Sequence, residues 1–444
     1  MKRHAIFLGL LAFSQPLLAA DLLQTYRDAR SNDAVYASAR AALEAGKEKL
    51  PQGLALLLPT INANGNTVWN NNPIIFRGTQ LVGPFTRQFN TNAWTVTLTQ
   101  PLFRAQNWVQ YKQAEFQVAQ AVALFGQAEQ DLIVRVSQAY FDVLASQDSL
   151  AFIQAQKTAI SEQLAQAKRN FEVGTATITD THEAQARFDL ATSQEIAAQN
   201  DLEIKQRALQ QLLGKFPAAL TPLRSSTQLN PPQPNAMEKW VETAEKQNFS
   251  VQVQEAGLEI ASREVQRNRA GHLPTLDIVG TYGETAAGVI LATTSGLGYD
   301  TRGSTIGLQL TVPLFAGGSI DSRTREAVAN KEKARQDLEN SRRTAALAVR
   351  QAYLGVTSGM AQVRALEQAL ISSQSALDSN KLGYEVGVRI NIDVLNAQQQ
   401  LFSTKRDLSR ARYDTLLNGL KLKSAAGVLS EEDLVAVNSL LGTE

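Results

Sequence analysis

Trp94-Thr95-Val96-Thr97-Leu98-Thr99-Gln100-Pro101-Leu102-Phe103 is the stretch that decides the fold. Trp94, Val96 and Leu98 fall on one side and Thr95, Thr97 and Thr99 on the other, the period of a strand with unlike faces. Once past Pro101, the chain has no proline until Pro217. Residues 305–315 say the same again. Ile306, Leu308, Leu310 and Val312 alternate with Thr305, Gly307, Gln309 and Thr311, and Pro313-Leu314-Phe315 closes the run. No proline follows it.

The repetition extends outward in both directions. Leu58-Pro59-Thr60 returns as Leu273-Pro274-Thr275, and Ala139-Tyr140 as Ala352-Tyr353. Phe171-Glu172-Val173-Gly174 returns as Tyr384-Glu385-Val386-Gly387, Asp180 as Asp393 and Gly214 as Gly427. The spacing is about 213 residues, far beyond the 20–50 of a solenoid unit. A whole structural half is used twice, as repeats 21–232 and 233–444. Each repeat is expected to carry a helix, a strand pair (about 60–101 and 274–313) and a long helical hairpin (105–214 and 319–427).

The proline-free windows predict the hairpins. Proline disrupts helix interiors, and these windows are rich in Ala, Gln, Leu, Glu and Arg. From Val136, the residues Ala139, Val143, Leu150, Ile153, Ile160, Leu164, Ala167 and Phe171 follow alternating spacings of three and four. Ser146 and Lys157 fill two polar gaps in this coiled-coil seam. A helix over 105–171 would be on the order of 100 Å long at 1.5 Å per residue. Gly174 and Gly387 mark its end and that of its counterpart, since glycine closes a helix in the left-handed conformation. A return helix then starts near Asp180 or Asp393. Asp180 and Glu183 have capping-box spacing.

Two further strands precede these. Ile61 and Ala63 alternate with Asn62, Asn64 and Asn66; Leu276, Ile278 and Tyr282 alternate with Asp277, Val279 and Thr281. Four strands of about ten residues, with one apolar face and one Thr/Asn/Gln face, fit a transmembrane β-barrel. Between Thr60 and Phe103 the only charges are Arg77 and Arg87, both in an expected loop at 70–91; a second loop is expected at 284–302. Trp69, Trp94, Phe103, Trp108 and Phe315 sit near strand ends, where aromatics suit a membrane boundary. Trp94, Val96, Leu98, Ile306, Leu308 and Leu310 are the expected lipid-facing residues. Four strands cannot close alone, and an open edge cannot sit in lipid. A dimer would give eight strands and a filled interior; a trimer gives twelve and a passage. Four helical columns per chain around a bore favour the trimer. The fold class is therefore an α+β membrane protein, a trimeric twelve-stranded barrel continuing into a long α-helical coiled-coil barrel. A secreted coiled-coil structural or adhesive protein is the alternative.

Composition agrees with this. Residues 1–20 read as a secretory signal: Lys2 and Arg3, an apolar run, then Leu17-Leu18-Ala19-Ala20. The formal charge is +1, which suggests no nucleic-acid partner. There is no cysteine, so neither disulfides nor thiolate metal sites arise. His4, His182 and His272 share no metal-ligand spacing. With no nucleophile elbow and no phosphate-binding loop, neither enzyme chemistry nor a cofactor is expected.

The chain resembles the TolC family of outer-membrane export proteins across nearly its whole mature length. The segments that carry the resemblance are Gly271-His272-Leu273-Pro274-Thr275-Leu276-Asp277, Val312-Pro313-Leu314-Phe315-Ala316-Gly317-Gly318 and Phe171-Glu172-Val173-Gly174 with Ile178-Thr179-Asp180. The last is Gly383-Tyr384-Glu385-Val386-Gly387 with Asp393-Val394-Leu395. The resemblance implies a homotrimer in the outer membrane of a Gram-negative bacterium, reaching through the periplasm. It implies a duct for drugs or secreted proteins, served by an inner-membrane pump and a periplasmic adaptor. It implies a periplasmic gate at Thr179, Asp180, Tyr384 and Arg389, with an acidic ring at Asp393. The family's second acidic position falls on Asn396 here, which departs from a cation-binding ring. The adaptor would seat on the tips at Val173-Gly174-Thr175 and Val386-Gly387-Val388.

Overall fold

The computed structural model describes residues 20–442 apart from 76, 78–82, 218, 225–226 and 289–297. The expected signal, Ala20 aside, and parts of both expected loops lie outside the described residues. The first half contributes α1 (Leu22–Asn32), α2 (Ala34–Lys47), α3 (Lys49–Ala55), β1 (Thr60–Ile74), β2 (Phe85–Phe103), α4 (Ala105–Glu172) and α5 (Ile178–Leu213). The second contributes α6 (Met237–Gln247), α7 (Phe249–Arg269), β3 (Thr275–Ala287), β4 (Tyr299–Thr311), α8 (Ser319–Glu385), α9 (Asn391–Ala425) and α10 (Glu431–Asn438). Two compact units form, and each draws on both halves. One comprises Ala42–Ala123 and Gln252–Asn340; the other comprises the chain up to Ala41, Leu124–Val251 and the chain from Ser341.

The first unit holds the sheet. Its four strands are antiparallel in the order β1-β2-β3-β4, so the halves join where β2 pairs β3, and β1 and β4 form the edges. The register gives the sheet a mainly apolar face, with the Glu284–Arg302 ion pair at one end of it, and a polar face. Trp94, Val96 and Leu98 stand opposite Glu284, Tyr282 and Gly280, which in turn face Arg302, Ser304 and Ile306. All six residues expected to face lipid therefore share one face, with Ile61, Ala63, Leu276 and Ile278. The opposite face carries Asn62, Asn64, Thr95, Thr97, Thr99, Thr281, Thr305 and Gln309. The strands run 15, 19, 13 and 13 residues, longer than the ten expected. In β1 and β2 the extra length is Asn-containing sequence that reads as loop but pairs as strand. Asn70 donates to the Thr91 hydroxyl at 2.9 Å, and Thr67 donates to the Asn90 side-chain oxygen at 3.1 Å.

The junction from sheet to helix is pinned by charge. Arg104, between β2 and α4, makes a two-pronged bond to Asp277 at the start of β3, at 2.8 and 2.7 Å. Asp277 is only 5% exposed, so its carboxylate depends on that guanidinium. At Gly53 a side chain would meet Ala114 Cβ at 2.9 Å and Tyr111 Cα at 3.2 Å. Glycine there lets α3 lie directly on α4.

The second unit is built on the helical hairpins. Its main core gathers Leu22 and Tyr26 of α1, Leu132, Val136, Tyr140 and Val143 of α4, Leu209 of α5, and Tyr413, Leu417 and Leu420 of α9. The fully buried Tyr140 donates its hydroxyl to the Thr221 and Ala20 carbonyls, 2.8 and 3.2 Å away, and burial pushes its pKa up. Tyr353, its counterpart in the second half, instead bonds Asn235 at 2.9 Å. Val136, Val143, Ile153, Ile160, Leu164 and Ala167 of the seam are buried, whereas Phe171 is exposed. The polar gaps are filled across the helix pair. Ser146 donates to Asp201 at 2.7 Å, and Lys157 pairs with Glu195 at 2.8 Å while lying over the Phe188 ring. The Lys157 bond holds the Glu195 carboxyl below its ordinary range.

Candidate functional site

The hairpin tips are two copies of one design. In the first, Thr175 N donates to Asn170 O at 2.8 Å and Gly174 takes φ +76°. In the second, Val388 N donates to Gly383 O at 2.8 Å and Gly387 takes φ +78°. Both bonds satisfy carbonyls left free at a helix end. Nothing lies near either glycine, and Val173, Val386 and Val388 are 73%, 65% and 76% exposed. Thr175 is exposed too. The six expected docking residues thus form two bare turns with apolar points.

The copies differ where the return helices begin. Thr177, not Asp180, is the N-cap of α5; its hydroxyl accepts from Asp180 N at 3.3 Å. Asp180 answers through Oδ2, accepting from Thr177 N at 3.0 Å and from its hydroxyl at 2.8 Å. The expected Asp180–Glu183 box is therefore a Thr177–Asp180 box, shifted by three residues, because Thr177 already has extended backbone at the helix start. The second half has Ile390 at that place and no side-chain cap. Asp393 is left free to pair with Arg389 at 3.6 Å, an exposed pair within one helical turn.

Within one chain the expected gate residues do not all meet. Thr179 is exposed. Tyr384 accepts from Asn170 Nδ2 at 3.1 Å, which links the second tip to the first. Arg389 turns to Asp393, and Asp180 to its own cap. Two links escaped the sequence reading. The buried Asn391 accepts from Gln163 Nε2 at 2.5 Å and donates to the Asp180 carbonyl at 3.4 Å. Arg187 donates to Asn396 at 3.0 Å and Gln399 at 2.7 Å. Asn396, which breaks the acidic pattern, is thus held by a cation of its own chain. Partners more than 200 residues apart leave no local signal; only Thr177 could have been found, by its three-residue spacing from Asp180. No cluster of three or more His, Cys, Asp or Glu residues suited to a metal occurs among the described residues. Nor, among them, is any helix long and apolar enough to cross a membrane.

A four-stranded sheet with a mainly apolar face, and paired long helices with bare tips, are the features of the outer-membrane channel class. The chain belongs to the outer membrane efflux protein family, whose model matches residues 25–215 and 240–428. It is 34% identical over 427 residues to the outer membrane protein TolC of Vibrio cholerae, covering 96% of this chain and 95% of that one. It is also 34% identical to the alkaline protease secretion protein AprF of Pseudomonas aeruginosa, covering 98% and 90%. The fold matches that of the Vibrio cholerae outer membrane protein VceC with a TM-score of 0.76 at 17% identity, over 91% of this chain and 96% of that one. The Campylobacter jejuni CmeC channel matches with a TM-score of 0.79 at 16% identity, over 99% and 97%. The protein is an outer-membrane export duct of this family.

Proposed function

We propose that three copies of this chain close a twelve-stranded barrel and form the exit duct of a tripartite export system. The observation that carries this reading is the sheet: one face carries apolar residues from all four strands, interrupted near one end by the Glu284–Arg302 pair, and among the described residues neither edge has a partner. In lipid every backbone polar group needs a bond, so the edges β1 and β4 must each meet another copy. Trp94, Val96, Leu98, Ile306, Leu308 and Leu310 then face the acyl chains, and the Thr/Asn face lines the passage.

The tips form the periplasmic entrance. Thr179, Asp180, Tyr384, Arg389 and Asp393 are its gate, and Val173-Gly174-Thr175 with Val386-Gly387-Val388 seat a periplasmic adaptor. The Asp180 cap uses Oδ2 and leaves Oδ1 outside the cap, and Arg389 of a neighbouring copy is its proposed partner. Asn396 in place of an acid weakens any cation ring at Asp393. The inner-membrane pump delivers the cargo, whether a secreted protein, as for the protease secretion relative, or a small drug.

The test is stoichiometry with conductance. Native mass spectrometry of the detergent-solubilised protein should give three chains per particle, and planar bilayers should show long-lived conductance steps. A monomer that stays folded without detergent and conducts nothing would overturn the duct in favour of a secreted coiled-coil protein.

A further inference from the structure

Resting on the three-copy reading, we infer the register in which β4 of one copy pairs with β1 of the next. The internal duplication supplies the template. Pro101 maps to Pro313, which carries β2 onto β4; Pro274 maps to Pro59, which carries β3 onto β1. The observed β2–β3 ladder is therefore the pattern for the seam between copies. Trp94↔Glu284 becomes Ile306↔Trp69, Val96↔Tyr282 becomes Leu308↔Thr67, and Leu98↔Gly280 becomes Leu310↔Gly65. On the other face Thr97↔Thr281 becomes Gln309↔Asn66, and Thr99↔Val279 becomes Thr311↔Asn64.

Three independent features agree with this register. It keeps the faces continuous: Gly65, Thr67 and Trp69 share the face of Trp94, and Ile306, Leu308 and Leu310 share it too. A slip of one residue would put Asn64 and Asn66 against the apolar stripe. It also joins strongly exposed apolar side chains of the two edges. Ile306 is 84% exposed and meets Trp69 at 75%; by the same mapping Phe315, 89% exposed, meets Ile61 at 68%. Aromatic and β-branched cross-strand pairs are the favourable ones. Finally, it repeats a fit already present: Leu98 Cβ lies 4.0 Å from the place a Gly280 side chain would occupy, and Leu310 finds Gly65 in the same relation. One element does not carry over. Arg104 and Asp277 map to Ala316 and Asn62, so the seam between copies lacks the ion pair that pins the seam within the chain.

The chain has no cysteine, so introduced disulfides report cleanly. The double variants Leu308→Cys/Thr67→Cys and Gln309→Cys/Asn66→Cys probe one pair on each face, so loss of one variant leaves the other. Leu308→Cys/Asn66→Cys and Leu308→Cys/Ala63→Cys are displaced by one and four residues. Membranes are treated with copper phenanthroline and run on non-reducing gels. The two register pairs should give covalent dimers and trimers, and the displaced pairs only monomers. A displaced pair that links while the register pairs stay monomeric, or silence of all four, overturns the register. Native mass spectrometry of the same samples separates the cases. Three chains per particle leave the duct standing with another register, whereas single chains remove the duct as well.

Discussion

Tyr384→Phe is the sharpest perturbation of the proposed entrance. Tyr384 packs against the small apolar cluster that contains Leu377 and Val394, and phenylalanine keeps that packing. The loss is the 3.1 Å bond from Asn170 to the hydroxyl, the link from tip to tip. One partly wet neutral hydrogen bond is worth about 1 kcal/mol. If all three copies must release together, the closed state loses about 3 kcal/mol. That raises the open population on the order of 100-fold, because 1.4 kcal/mol is a factor of ten. Single-channel recording in planar bilayers should show longer and larger openings. Asn170→Ala should do the same, since it removes the donor but keeps the main-chain carbonyl that closes the first tip. The double variant should match either single one, because both remove the same bond. Additive effects, or unchanged conductance in Tyr384→Phe, would show that the bond does not hold the gate. Adding Arg389→Ser should contribute at most about 1 kcal/mol per chain, since its pair with Asp393 is exposed.

Val96→Arg and Leu308→Arg should each cost about 2–4 kcal/mol near the bilayer midplane and block assembly, read as loss of outer-membrane trimer after fractionation. Arg104→Ala strands the buried Asp277 carboxylate and should cost about 3–5 kcal/mol, read as loss of heat-resistant oligomer on gels. Adding Asp277→Asn should recover much of that loss, because the neutral amide needs no counter-charge. Asp33 caps α2 and takes two 3.1 Å bonds from Arg135. Burial pushes its carboxyl up, but the Arg135 bonds and the Tyr36 backbone N–H outweigh this, so its pKa falls below the ordinary value. A lowered carboxylate pKa stabilises above about pH 4 and is lost as pH falls through the folded value. Arg135→Ala should therefore raise the acid-unfolding midpoint followed by circular dichroism; an unchanged midpoint would refute this account.

Much of this architecture is written locally. Proline-free windows after Pro101 and Pro313 mark the places of α4 and α8, and glycines at positive φ close both. Alternation around Val96 and Leu308 already assigns the two faces of the sheet. β1 outruns its hydrophobic signal because Asn70–Ile74 pairs with β2 through the backbone and the Asn70 side-chain amide, which no hydropathy pattern reveals. Within the proposed entrance, Tyr384 and Asp393 stand in the quoted segments, and Arg389 lies between them. Their bonding was less legible: Asp180 is drawn to Thr177 by a short-range cap, and Asn170, Gln163 and Arg187 act on residues of the other repeat. Such contacts depend on how four helices lie together, and that is a tertiary outcome.

The unequal starts of α5 and α9 have a mechanical consequence. One return helix begins clamped by a reciprocal Thr177–Asp180 bond; its twin begins on Ile390 without a side-chain cap, and its first turn is held by the bonds of Asn391 to Gln163 and to the Asp180 carbonyl. The two hairpins repeat one design, yet Thr177-Ile178-Thr179 in one stands where Ile390-Asn391-Ile392 stands in the other, so the first return helix is held by its own cap and the second by its neighbours.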